Sequence, residues 1–213
     1  MHPSIDHPVP AAKGIRWPRL YDLLVFGMTG GRERRFRRDV LRLSGIASAQ
    51  RVLDVGCGTG TQAVAIARQV GPDGSVTAVD VAPEMLAVAR RKAARARVPI
   101  EFRLAEATAL PFPDRSFDRV LMCMAMHMLP EAEWFPCVRE LARVLAPAGR
   151  RVLIDYAGPL AERASLMARH GPHGRFDLRR LREPVEAAGL RAVSIRPMER
   201  LDMHVLQGTR PAR

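Results

Sequence analysis

The chain has 213 residues, 47% of them hydrophobic and 26% charged, with a formal net charge of +12. That length and apolar content suffice for one globular domain with its own core, and the longest notable apolar run, Val120 to Met126, falls far short of the ~20 residues of a membrane-spanning helix. The three cysteines, Cys57, Cys123 and Cys137, form neither a zinc-type nor a redox pair and supply no disulfide framework.

Residues 1–15 are polar and proline-bearing and read as a disordered leader. They lack the apolar segment of a signal peptide, which with the odd cysteine count points to the cytoplasm. Residues 16–28, RWPRLYDLLVFGM, form a short apolar helix. Residues 30–46 form a basic helix with Phe36, Val40, Leu41 and Leu43 roughly on one face. From Arg51 the pattern alternates. RVLDV is a strand, TQAVAIARQV a helix, GPDG a turn and SVTAVD a second strand. The helix APEMLAVARRKAARAR opens on Pro83 and Glu84, residue types favoured in a first turn. PIEFRL is a third strand. The proline-rich LPFPDRSFD leads into RVLMCMAM, a fourth. PEAEWFPCVRELARVL is a helix in which Pro136 marks a kink or the true start. APAGR is a turn and RVLIDYA a fifth strand. DLRRLREPVEAAGL is a helix with a glycine stop, and RAVSIRPM and DMHVLQG are strands joined too closely for a parallel crossover.

Strands alternating with helices predict a doubly wound α/β sheet of about seven strands, the last antiparallel, in a single domain over 16–213. Its expected parts are N-terminal helices over 16–46 covering the site, a cofactor-binding core over 47–156, and a C-terminal helix and strand pair over 157–213.

Ligands of such sheets bind at the carboxyl ends of the strands. Gly56-Cys57-Gly58-Thr59-Gly60 follows the first strand, but its third glycine comes one position early for a dinucleotide fingerprint, and no Walker lysine follows. Asp54, just before the loop, would repel a pyrophosphate and suits a cation. Asp80 ends the second strand, where an acid accepts the hydroxyls of a ribose. A nucleoside with a cationic tail is implied, and S-adenosylmethionine meets that description.

The segments VLDVGCGTG, AVDVAPEMLAVAR, LPFPDRSFDRVL and LARVLAPAGRRVLID together resemble the class I S-adenosylmethionine-dependent methyltransferases, most closely their small-molecule, lipid and quinone branch, over residues 20–156. The resemblance implies a Rossmann-like fold and roles for matching positions. Asp54 and the loop Gly56, Cys57, Gly58 and Gly60 face the methionine part, and Asp80 takes the ribose. Val81 and Met85 flank the adenine. Ala105-Glu106-Ala107 stands where the family has Gly-Asp-Ala, so Glu106 reaches for the adenine amino group with an extra methylene. Tyr21 covers the cofactor, and Met122 on the fourth strand lies beside it. His127, after that strand, is the titratable group nearest the acceptor, as base or positioner. His170 and His173 lie in a loop that would cap the acceptor pocket. No metal site is expected.

No Asn/Asp-Pro-Pro-aromatic run follows the fourth strand, which argues against base-amino and glutamine methylation; Pro136-Cys137 lies inside a helix, away from the place of a cytosine-C5 nucleophile. The expected acceptor is therefore small or amphiphilic. The basic segment 26–41 suggests either peripheral contact with an anionic membrane, through arginines beside Phe36, Val40 and Leu41, or a solvated arginine face whose apolar side packs on the sheet domain. The charge also admits a nucleic-acid or protein methyltransferase, which salt-dependent RNA binding would reveal. Because only Lys13 and Lys92 are lysines, though, the excess of arginine is more simply codon usage, and no nucleic-acid partner is expected. A non-catalytic binding module is the third reading; the intact acids at 54 and 80 weigh against it.

Overall fold

The computed structural model describes residues 18–157, 176–198 and 203–212. The strands are β1 (Arg51–Val55), β2 (Ser75–Asp80), β3 (Glu101–Leu104), β4 (Phe117–Cys123), β5 (Leu145–Tyr156), β6 (Arg191–Pro197) and β7 (Met203–Thr209), in one sheet ordered β3-β2-β1-β4-β5-β7-β6. The first five are parallel, with Val52 beside Val76 and Leu121 beside Val152. β7 enters between β5 and β6 and runs antiparallel to both, pairing Leu206 with Leu153 and with Ile195. The sheet is thus the expected seven-stranded one with an antiparallel last strand.

Successive residues of a strand face opposite sides, and here both sides are covered, so the central strands are mostly apolar, with Asp54, Arg151 and Asp155 as buried charged exceptions. Leu53, Val55, Val120, Met122, Leu153 and Leu206 form a core with α5 (Glu131–Arg143) and the C-terminal helix α6 (Arg182–Ala187). On the other face Val52, Ala78, Leu121, Val152, Ile154 and Val205 pack with α2 (Glu33–Ser44) and α3 (Thr61–Val70). The remaining helices are α1 (Pro18–Met28) and α4 (Pro83–Ala96).

Several expectations need correction. β4 stops at Cys123, not Met126. Met124 turns left-handed (φ 55°), its N–H donates to the Ile154 carbonyl, and a short 3₁₀ turn, Met126–Met128, follows. The segment 146–150, expected as a turn, lies within β5 as an irregularity: Phe117 pairs with Leu145, and the register resumes only at Arg119 and Arg150. Pro136 does not start its helix, which begins at Glu131 after Pro130. The C-terminal helix is split into a 3₁₀ turn, Leu178–Leu181, and α6, whose Pro184 sits in the first turn, where a proline is tolerated. In α2, of the two readings of the apolar stripe, packing on the sheet is the one found: Phe36 and Val40 are buried against α3 and the sheet. The proposed leader, His170 and His173 lie outside the described residues.

Candidate functional site

β1 and β2 lie side by side and bring Asp54 and Asp80 to neighbouring carboxyl ends. The chain leaves β1 by folding over β2, with the N–H groups of Gly56 and Cys57 both donating to the Val79 carbonyl, at 2.9 and 3.0 Å. Two glycines are required by what surrounds them. Gly56 is left-handed (φ 69°), and an added Cβ would come within 2.5 Å of the Ala125 Cβ. At Gly60 (φ 76°) it would come within 2.7 Å of the Ala89 Cβ, so this glycine also lets the start of α3 approach α4.

Asp80 ties the two strand ends together. Its Oδ2 accepts from the Gly58 N–H at 2.7 Å and its Oδ1 from the Ala82 N–H at 2.9 Å. Burial pushes its carboxyl up, and the amides of Ala82, Gly58 and Val81 draw it back. One bond to each oxygen leaves further lone pairs for hydroxyl donors. Ala105 is next to it, its N–H donating to the Asp80 carbonyl at 3.1 Å, and leads into the half-buried Glu106 and Ala107. Val81 is half-buried and Met85, on the first turn of α4, is buried.

Asp54 is 2% exposed, and its Oδ2 has no hydrogen-bond partner among the described residues. Burial lifts its carboxyl from 3.8 to about 7; the Arg37 guanidinium opposes the rise and Asp80 adds to it. A buried carboxylate without a donor is costly, and a cationic donor relieves that cost. Two loop and strand side chains expected near the cofactor are instead turned into the core. Cys57 packs with Ala63 and Ile66, and the Met122 sulfur meets the Cys137 thiol at 3.9 Å.

The N-terminal helices bring in Tyr21, which the sequence had pointed to, and Asp22 and Arg37, which it had not. Tyr21 of α1 overlies the loop, so that a Cβ on Gly58 would lie 3.5 Å from its ring; burial pushes its hydroxyl up to about 12. Asp22 accepts from the Thr59 hydroxyl at 2.6 Å and from Lys92 at 2.8 and 3.0 Å. Lys92 also donates to the hydroxyls of Thr59 and Thr61, both at 2.8 Å, fastening α1 to the loop and to α4. Arg37 of α2 is held by Glu33 at 3.1 Å. Burial alone would lower it, but the neighbouring Cys123, Tyr21 and Glu33 keep it above its ordinary value. A helical wheel could have found Arg37, because at ~100° per residue it falls beside Ser44, at the border of the face that buries Phe36, Val40 and Ser44. Nothing local announces the contact of Lys92 with Asp22.

His127 follows β4, in the 3₁₀ turn. Its Nδ1 lies 2.8 Å from Asp155 Oδ1, and its backbone N–H donates to Oδ2 at 3.2 Å. Asp155 is 1% exposed and also accepts from the Tyr156 N–H. Assigning the proton to Nδ1 makes Nε2 an acceptor, the arrangement of an imidazole that can take a proton. The ring stands edge-on to Tyr156 at 5.3 Å. Among the described residues no group of three His, Cys, Asp or Glu side chains is placed to share a metal, and no helix is long and apolar enough to cross a membrane.

Residues 52–149, which span the glycine loop, both acids and His127, match the family described as a methyltransferase domain. The chain is also 37% identical over 141 residues to the ubiquinone/menaquinone biosynthesis C-methyltransferase of Pseudomonas putida. Over residues 52–149 the chain is thus similar to the class I S-adenosylmethionine-dependent methyltransferases. The Pseudomonas match covers 65% of this chain and 54% of the relative. The demethylmenaquinone methyltransferase of Thermus thermophilus is 38% identical over 139 residues, covering 65% of this chain and 62% of that protein. The chain thus spans a little over half the length of these curated relatives. Among solved structures, an S-adenosylmethionine-dependent methyltransferase from Aquifex aeolicus superposes with a TM-score of 0.72 at 23% identity, over 91% of this chain and 98% of that one. The residues present fit the family's cofactor. Asp54 offers a buried oxygen to an ammonium, Asp80 has lone pairs for hydroxyls, and the glycine loop lacks the side chains that would fill the crevice.

Proposed function

We propose that this chain transfers a methyl group from S-adenosylmethionine to a carbon of a quinone-like small molecule. The observation that carries the cofactor half is the unpaired, buried Oδ2 of Asp54 beside the glycine loop. The acceptor half is supported by the match to two quinone-biosynthesis methyltransferases. S-adenosylmethionine, when bound, supplies a methyl group already activated by a sulfonium.

The residues then divide the work. Asp54 receives the ammonium, and the backbone of Gly56, Gly58 and Gly60 lines the methionine part. Asp80 accepts the ribose hydroxyls. Val81 and Met85 flank the adenine, while Ala105, Glu106 and Ala107 bound its amino edge. Tyr21 closes over the loop, held by the bonds of Asp22 with Thr59 and Lys92. His127, oriented by Asp155, is the acceptor-side base, needed where the accepting carbon is activated by loss of a hydroxyl proton. Most of the acceleration in such a reaction comes from holding acceptor and methyl in line, which is worth ~7–11 kcal/mol. Residues 16–46 act as the cover of a single methyltransferase domain that works in the cytoplasm.

Calorimetry and a labelled-methyl assay test both halves. The chain should bind S-adenosylhomocysteine and not NAD, and should label a short-tailed demethylmenaquinone. NAD binding without S-adenosylhomocysteine binding would overturn the cofactor assignment. Cofactor binding with no labelling of any quinone would overturn the acceptor.

A further inference from the structure

The exposed apolar surface of the described residues is concentrated on one helix. Of six large exposed hydrophobic side chains, four belong to α1: Leu20, Leu23, Leu24 and Phe26, at 53%, 64%, 53% and 54% exposure. At ~100° per residue the positions of these four, with those of Gly27 and the helix-terminal Arg19, share one side of the helix. Tyr21 and the buried Val25 occupy the other, toward the glycine loop and the core. A helix with large apolar side chains on both sides belongs in a core or a membrane, and among the described residues the outward side of α1 has no core to meet. Its 11 residues reach only ~16 Å, about half of a ~30 Å hydrocarbon layer, so it can lie in a bilayer interface but not cross it.

The next helix supplies the matching charge. α2 turns Phe36, Val40 and Ser44 inward and leaves Arg34, Arg35, Arg38 and Arg42 outward. Its two acids are engaged, Glu33 with Arg37 and Asp39 with Arg42. Arg34, Arg35 and Arg38 have no carboxylate partner among the described residues. Left-handed Gly30 and Gly31 make the turn that joins the apolar helix to the basic one. An apolar helix followed directly by unpaired guanidinium groups complements a surface of acyl chains beneath anionic headgroups. A second protein copy would have to bring the carboxylates that this surface lacks.

We propose that α1 and the outward face of α2 dock this chain on an anionic lipid bilayer, with Leu20, Leu23, Leu24 and Phe26 in the interface and Arg34, Arg35 and Arg38 on headgroup phosphates. The inference deepens the function proposed above, and rests on it for the apolar character of the acceptor. Tyr21 and Asp22 hang from the same helix onto the glycine loop. Docking therefore sets the mouth of the site at the membrane, where such an acceptor dissolves.

Flotation of the full chain with phosphatidylcholine vesicles, with and without phosphatidylglycerol, tests the surface. S-adenosylhomocysteine calorimetry on each sample keeps its fate apart from that of the methyltransferase reading. The wild-type chain should float with the anionic vesicles at low salt and roughly tenfold less with neutral ones. Leu23→Ser/Leu24→Ser and, independently, Arg34→Glu/Arg38→Glu should each lose flotation roughly tenfold while binding S-adenosylhomocysteine as before. A wild-type chain that binds S-adenosylhomocysteine but stays unbound by anionic vesicles overturns the docking. So does a wild-type dimer in sedimentation that Leu23→Ser/Leu24→Ser converts to monomer, since the apolar face is then a self-interface.

Discussion

Asp54→Asn separates what the site costs from what it does. Burial holds the Asp54 carboxyl at about 7, against an ordinary value of 3.8. Between those two values the folded chain keeps a proton that the unfolded chain has lost. Stability from this group is therefore fully present below the lower value and falls as pH rises through the window. At 1.36 kcal/mol per pKa unit, ionising Asp54 in the fold costs about 4 kcal/mol at pH 8 and under about 1 kcal/mol at pH 4. Asparagine keeps the shape and removes the ionisation. It adds a buried amide N–H₂ whose lack of an acceptor costs about 1–3 kcal/mol at any pH. The variant should thus be less stable than the wild type at pH 4 and more stable at pH 8, a swing of about 3–4 kcal/mol. Its affinity for S-adenosylhomocysteine at pH 8 should fall by about 1.5–3 kcal/mol, the worth of a hydrogen bond to a charged group. Urea unfolding at both pH values and calorimetry measure the two effects. Stability curves that run parallel for the two chains from pH 4 to pH 8 would refute the burial-raised carboxyl, and an unchanged dissociation constant would refute the assignment of Asp54 as the ammonium acceptor.

Asp80→Ala should weaken S-adenosylhomocysteine binding by ~1–3 kcal/mol; an unchanged dissociation constant in a folded variant would remove Asp80 from the site. Wild-type affinity for S-adenosylhomocysteine should rise with pH up to about 7, the value to which Asp54 is lifted, and then level off; a flat profile over pH 5–8 contradicts proton release on binding. Gly60→Ala places a Cβ 2.7 Å from the Ala89 Cβ at a left-handed φ, so chemical denaturation should register a loss of about 1–3 kcal/mol. His127→Gln should lower kcat roughly 10²-fold with cofactor affinity intact; an unchanged kcat would return His127 to a packing role.

The parts of this fold that repeat locally were readable. RVLDV, SVTAVD and the helix after Pro83 announce themselves by apolar spacing and turn residues, and with them the loop and the two acids at strand ends. What was hidden depends on contacts between distant segments. Lys92 meets Asp22 across 70 positions, so no window of sequence contains the pair. Asp155 looked like the end of a strand, and only the return of the chain after β4 brings it to His127. The segment 146–150 reads as a turn because it contains Pro147 and Gly149, yet it is held between the paired Leu145 and Arg150, with Ala148 and Gly149 hydrogen-bonded to the Arg210 backbone beyond β7. The basic helix was ambiguous for a different reason. Phe36 and Val40 form an amphipathic stripe whether the far side is lipid or sheet, and periodicity does not distinguish the two.

The open edges of the sheet belong to β3 and β6. β3 carries exposed Glu101 and Arg103, and β6 carries exposed Arg191, Arg196 and Pro197. Charges and proline on an edge discourage a strand of another molecule from adding to it. One layer inward the situation differs: Val152, Leu153 and Ile154 are an unbroken, fully buried apolar run whose outer flank is covered by β7. Such a run, once uncovered, is a template for intermolecular pairing. The last two strands therefore protect solubility as well as completing the sheet. A nick or truncation that removed them would leave the glycine loop and both acids in place and still yield a chain that aggregates.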